Sequence, residues 1–192
     1  MMSGELPETN VGKPSASAEP RKTGLDYPAW IAATFAGSAL IQGVTAGPFW
    51  KDAGELTASA IDLGVAHPTG FSSWCALARV FSLLPMGTLH LRVALASAIP
   101  MAISIGLLAH LLRPVKLANH GIDLAVRGFA LPFLALSVPT VWYLGTTPEV
   151  YALAALLCLS WLVALRPRPG GDQALYRGLI ILGLIPSVHI TA

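Results

Sequence analysis

The chain predicts an all-α protein that crosses a membrane several times, and three observations predict it. Hydrophobic residues make up 54% of the sequence and charged residues only 11%, with a mean hydropathy of +0.64, which is outside the range of an ordinary soluble domain. Apolar stretches of near-spanning length alternate with short polar turns. Lys and Arg gather in every second turn, as cytoplasmic turns of membrane proteins do. The 192 residues leave room for one domain, or about four to five helices of about 20 residues. The net charge of +2 is small and forms no basic footprint for a nucleic acid.

Residues 1–28 are rich in Pro, Ser, Glu, Gly and Thr and read as a disordered cytoplasmic tail. They are not a signal peptide, because the apolar run comes late and lacks a small-residue cleavage site. Residues 29–192 form the transmembrane domain. Its first span, Ala29 to Ala46, is uncharged and opens on Trp30, an interfacial anchor. Gly37 and Gly43, with Ala36, Ser38 and Ala39, suit a close helix contact there. The second span, Leu89 to Leu112, holds Pro100 and is expected to kink. The third, Gly128 to Thr146, contains Pro132 and Pro139 and ends near the belt residues Trp142 and Tyr143. The fourth, Val150 to Leu165, is short for a crossing. A fifth apolar run, Leu175 to Ala192, reaches the end of the chain.

The basic residues orient these spans. Lys13, Arg21 and Lys22 precede the first span, Arg113, Lys116 and Arg127 follow the second, and Arg166, Arg168 and Arg177 follow the fourth. Only Lys51, Arg79 and Arg92 fall on the other side. The amino terminus is therefore expected in the cytoplasm, with loop 47–88 outside. The turn around Glu149 and the end near His189 would share that outer face.

The outer loop carries the chemistry. Asp52 and Glu55 stand three apart. As a capping box they would serve only the helix that follows. As free carboxylates they suit general-base work toward a hydroxyl acceptor, with the leaving group departing as a phosphate. His67-Pro68-Thr69-Gly70 is a turn-forming unit that holds a histidine near the membrane surface. Phe71 to Leu84 reads as an amphipathic helix along the interface, or as a partly re-entrant segment. Its Arg79 either meets a phosphate or snorkels as an anchor. Carboxylates at mid-membrane, which a carrier would favour, are missing from the first four spans. Cys75 and Cys158 lack metal-ligand spacing and read as small buried hydrophobes. His90 and His110 read as packing or interfacial residues and His120 as solvated. No cofactor is expected; His67, His189 and the acids could meet in space around a divalent metal, but they show no standard ligand spacing, and metal dependence stays open.

Three ordered segments carry a resemblance. WKDAGELTASAIDLGVAHPTGF, PEVYALAAL and LIPSVHIT resemble the motifs of a bacterial membrane-protein family related to the eukaryotic transmembrane protein O-mannosyltransferases. That resemblance covers about Ala29 to Ala192 and implies a GT-C-like glycosyltransferase that uses a polyprenyl-phosphate-linked sugar at the outer face. It implies Asp52 as catalytic base and Glu55 as its acidic companion. It also implies His67, Glu149, Tyr151 and His189 as substrate-binding positions. Added to the reading of Arg79 as a substrate-binding residue, this has Arg79 or His67 facing the lipid phosphate. The chain departs from the family pattern at Thr69, Phe71, Ser72 and Val188. It stops inside the fifth run, where family members continue, so the first half of a GT-C-like fold is expected: a fragment, a truncated product or half of a split enzyme. A polytopic partner would then complete the fold, with membrane lipid and lipid-linked sugar as the other partners. The alternative is a non-catalytic membrane subunit that keeps this half of the fold. A small transporter fits the placement of the acids less well.

Overall fold

The computed structural model describes residues 25–45, 47, 52–67, 71–115, 117, 119–166 and 172–188, without the side chains of 172, 174 and 175. The tail as far as residue 24, the turn residues Pro68, Thr69 and Gly70, and the end that holds His189 lie outside the described residues. The fold is all-α, with no strand among the described residues.

Helix α1 (Tyr27–Gly43) starts on Pro28, whose fixed φ suits a first turn. Two short helices follow, α2 (Ala53–Asp62) and α3 (Ser72–Ser82). Helix α4 (Leu89–Leu111) is the pillar of the molecule, with α1, α3, α7 and α8 against its sides. Thr88 caps it by accepting the Leu91 N–H. Then α5 (His120–Asp123), the π-helical turns Leu124–Ala130 and α6 (Leu131–Leu136) run on as one rod. Helices α7 (Pro139–Thr146), α8 (Tyr151–Ala164) and α9 (Asp172–Val188) complete the chain.

The core lies in three layers along α4. Near its start, Leu56, Trp74, Val93, Leu153 and Val188 join α2, α3, α4, α8 and α9. In the middle, Leu40 of α1 meets Met101 and Ile105. Near its end, Ala29 and Ala32 meet Ala109. The start of α4, the ends of α1, α7 and α9, and the beginning of α8 therefore share one end of the bundle, called here the loop end.

Small residues set the α1–α4 distance. A Cβ at Gly106 would stand 2.8 Å from the Ala33 Cβ and 3.0 Å from the Ala29 carbonyl oxygen. Gly106→Ala is expected to cost about 1–3 kcal/mol by overpacking. A lower thermal midpoint for the detergent-solubilised variant would show it, and an unchanged midpoint would mean that the pair has slack.

The spans differ from the sequence expectation in length. Among the described residues one helix, α4, is long and apolar enough to cross a membrane by itself. It runs as one helix through Pro100. The expected first, fourth and fifth spans are helices of 17, 14 and 17 residues, short of the roughly 20 that a perpendicular crossing takes. The expected third span is bent by 87° between the rod His120–Leu136 and Pro139–Thr146, and counts as a second crossing only if the bent pair is taken as one. The cause is local. Pro139 pushes Val138 out of the helical region, to ψ 116. The π turns fall just before Pro132, which has no N–H to continue the ladder.

Arginines close helix ends. Arg79 Nη1 donates to the Ile61 carbonyl at 2.8 Å, at the carboxyl end of α2. Arg92 Nη1 donates to Ser82 and Leu84 at 2.7 and 2.9 Å, after α3. Arg166 reaches His110 and Leu111 at the end of α4. Apart from Leu84, which lies beyond α3, these carbonyls belong to last turns, and a planar cation suits the negative end of the dipole.

At the far end of α4, Arg127 is almost fully buried. It pairs with Asp26 ahead of α1 and with Asp123 one turn earlier, and donates to the Ala109 carbonyl at 3.0 Å. Asp26 also faces His110 Nδ1 at 2.8 Å. The cluster ties α1, α4 and the π turns together, so His110 has a specific partner rather than a bland packing role.

Candidate functional site

The loop end gathers most of the residues singled out in the sequence. Asp52 occupies the position before α2, but its side chain makes no capping bond. Only its carbonyl serves the helix, accepting the Leu56 N–H at 2.8 Å. The capping-box geometry is therefore not realised. The Asp52 side chain is exposed, with no hydrogen-bonded partner among the described residues.

Glu55 turns to the loop beyond α2 instead. Its Oε1 accepts the His67 backbone N–H at 2.6 Å, and its Oε2 lies 3.0 Å from His67 Nδ1. The His67 hydrogen bonds hold the Glu55 carboxyl below its ordinary pKa, so Glu55 is the ionised acceptor and Nδ1 carries the proton. Both side chains remain open to solvent, His67 at 40% and Glu55 at 45% exposure. The His67 ring meets Phe71 edge to face, with centroids 5.2 Å apart. Phe71 and Leu63, at either side of this loop, hold φ of 44° and 51°. Such left-handed backbone is uphill for side chains with a Cβ.

The direction of the Glu55 shift sets a pH response. A carboxyl whose folded pKa is lowered adds stability above its unfolded value and loses it as pH falls through the folded value. The His67 loop is therefore expected to loosen only on acidification below the usual carboxylate range. The protection of the His67 amide against hydrogen exchange, taken relative to its intrinsic rate at each pH, should fall there in the wild type. In Glu55→Gln it should be low already at neutral pH, and equal protection in both proteins would contradict the lock.

Glu149 is held from two sides. Ser97 of α4 donates to its carbonyl at 2.9 Å and accepts its N–H at 2.8 Å. The Tyr143 hydroxyl donates to its Oε1 at 3.0 Å. Glu149 is buried at 5% exposure, while Tyr151 stands 46% exposed. Tyr143, Glu149 and Tyr151 line a cavity of about 360 Å³ with Pro139, Thr140 and Leu144. Asp52 lies near enough for its charge to act on the Tyr143 hydroxyl, so the segments of Asp52 and Glu149 share one neighbourhood. Tyr143 was legible in the sequence only as a belt aromatic. The signal for more was its place six residues ahead of Glu149.

The remaining positions stand apart. Arg79 sits at the Ile61 end of α2, about 13 Å along the helix axis from Asp52. His189 lies outside the described residues. Cys75 is buried and Cys158 half-buried, neither in a disulfide, and burial raises the Cys75 thiol pKa.

Asp52, Glu55 and His67 can each bring one ligand atom within 4.8 Å of the others. Two carboxylates and an imidazole are a donor set that zinc or manganese accepts. Both Glu55 oxygens already serve His67, however, and Nδ1 is protonated. A metal at His67 Nδ1 would have to break this lock, whereas one at Nε2 would leave it intact.

The fold and this end of it define a helical protein with an acid- and imidazole-bearing loop face set on an apolar bundle. Residues 52–192 match the family described as Protein O-mannosyl-transferase TMEM260 N-terminal domain, and the chain belongs to that family. No curated protein and no solved structure matches it.

Proposed function

We propose that this chain is the amino-terminal part of a polytopic GT-C-like glycosyltransferase in a bacterial inner membrane. It would move a sugar from a polyprenyl-phosphate donor to an acceptor hydroxyl at the outer face. The observation that carries the reading is the exposed, uncommitted Asp52 carboxylate beside the locked Glu55–His67 pair, in a member of this family.

In this reading Asp52 takes the proton of the acceptor hydroxyl as its oxygen attacks the anomeric carbon. The bond from that carbon to the phosphate oxygen breaks, and the lipid phosphate leaves with the electron pair. His67, held on Glu55 through Nδ1, presents the rest of its ring to the departing phosphate. Tyr151 and the Tyr143–Glu149 pair offer an aromatic face and hydrogen bonds to a sugar. Arg79 supports α2 from its far end. Helices α1, α8 and α9 cross or partly cross the bilayer with α4, the shorter ones by thinning it locally or by snorkelling flanks.

The test is a gentle-detergent pull-down of the chain from its native membrane. The eluate is assayed for transfer from polyprenyl-phosphate sugars, and co-purifying proteins are identified by mass spectrometry. Transfer by the chain, alone or with a polytopic partner, supports the reading. A partner bound without any transfer would make this chain a non-catalytic subunit.

A further inference from the structure

A second site lies at the opposite end of α4. A polar cavity of about 460 Å³ opens among the start of α1, the turn after α4 and the rod, lined by Tyr27, Arg113, Asn119 and His120. An apolar groove of about 400 Å³ runs beside it between α1, α4 and α8, walled by Trp30, Ala33, Ile103, Leu107 and Val163. Asp26 and Arg113 line both spaces, so the polar compartment adjoins the apolar one.

The charges are unequally committed. Asp26 and Asp123 are both consumed by Arg127, and Asp26 also faces His110. The half-buried Arg113 side chain makes no hydrogen bond or ion pair among the described residues. A guanidinium with its donors unused, at the junction of a polar and an apolar space, matches an anionic amphiphile. A free anion would satisfy Arg113 but would leave the groove along Trp30 and Ile103 unfilled.

We propose that this is a binding site for a membrane glycerophospholipid. Its phosphate sits on Arg113 and one acyl chain lies along the α1–α4 groove. The proposal rests on the reading of α4 as a membrane helix, but not on glycosyl transfer. The length of α4, about 34 Å, separates this site from the loop end.

The test uses the full chain, first washed in its membrane with alkaline carbonate and then purified in mild detergent for native mass spectrometry. The wild type is expected to stay in the membrane and to carry one phospholipid. Arg113→Gln should lower retention about tenfold, the loss of a charge-assisted bond. Ile103→Trp, which fills the groove, should abolish it while leaving helicity by circular dichroism unchanged. In vesicles of phosphatidylglycerol with brominated acyl chains, Trp30 fluorescence should be quenched in the wild type and recover in Ile103→Trp after correction with Trp30→Phe. A carbonate-resistant chain without lipid, or with equal lipid in both variants, overturns this site alone. Binding of inorganic phosphate with the same Arg113 dependence but no lipid also overturns it. Release by carbonate overturns the membrane reading with it.

Discussion

Asp52→Asn is expected to lower sugar transfer by about 10²- to 10⁴-fold, the usual contribution of a general base, without loss of membrane association. The side chain is exposed and makes no capping bond, so the isosteric amide removes basicity while the fold has nothing to lose. The fall should appear in kcat with little change in KM, because the proton moves only in the transition state. Glu55→Gln is the informative companion. It weakens the hold on His67 and should lower the rate less, with a change in pH profile that Asp52→Asn does not share. Unaltered transfer by Asp52→Asn would end the assignment of the base.

The largest loss of stability is expected from Arg127→Met. The Arg127 and Asp26 side chains are 5% and 7% exposed, and removing the cation strands a buried carboxylate at a cost of about 3–5 kcal/mol. Asp123, at 20% exposure, can turn to water and should contribute less. The double variant Arg127→Met with Asp26→Asn should recover much of the loss, since a buried pair replaced on both sides leaves no uncompensated charge. Thermal unfolding of the purified protein would report both changes. Equal midpoints for the single and double variants would place the cost in lost packing instead.

Much of the helix content could be read from apolar runs and prolines, and the family from three motifs. What escaped were partnerships far apart along the chain. Asp26 fell inside a stretch read as a cytoplasmic tail, and Arg127 was counted only as a topology marker, yet they meet across 101 residues. The spacing of Asp52 and Glu55 suggested a capping box because local geometry is all that a spacing of three encodes. The acceptor that Glu55 offers is taken by His67, 12 residues on, through a loop closure that no periodicity reveals. Pro139 was visible, but inside a run read as one span, and the 87° bend beside it was not read from the sequence.

The contact between α1 and α4 is built largely from Ala29, Ala32, Ala36, Ala102 and Gly106. Hydrocarbon tails are as apolar as any side chain, so burying oil from lipid gains little, whereas close backbone approach keeps its dispersion energy in any medium. In the proposed membrane setting this pair of helices would keep its geometry and serve as the fixed reference against which the shorter helices adjust to local thickness.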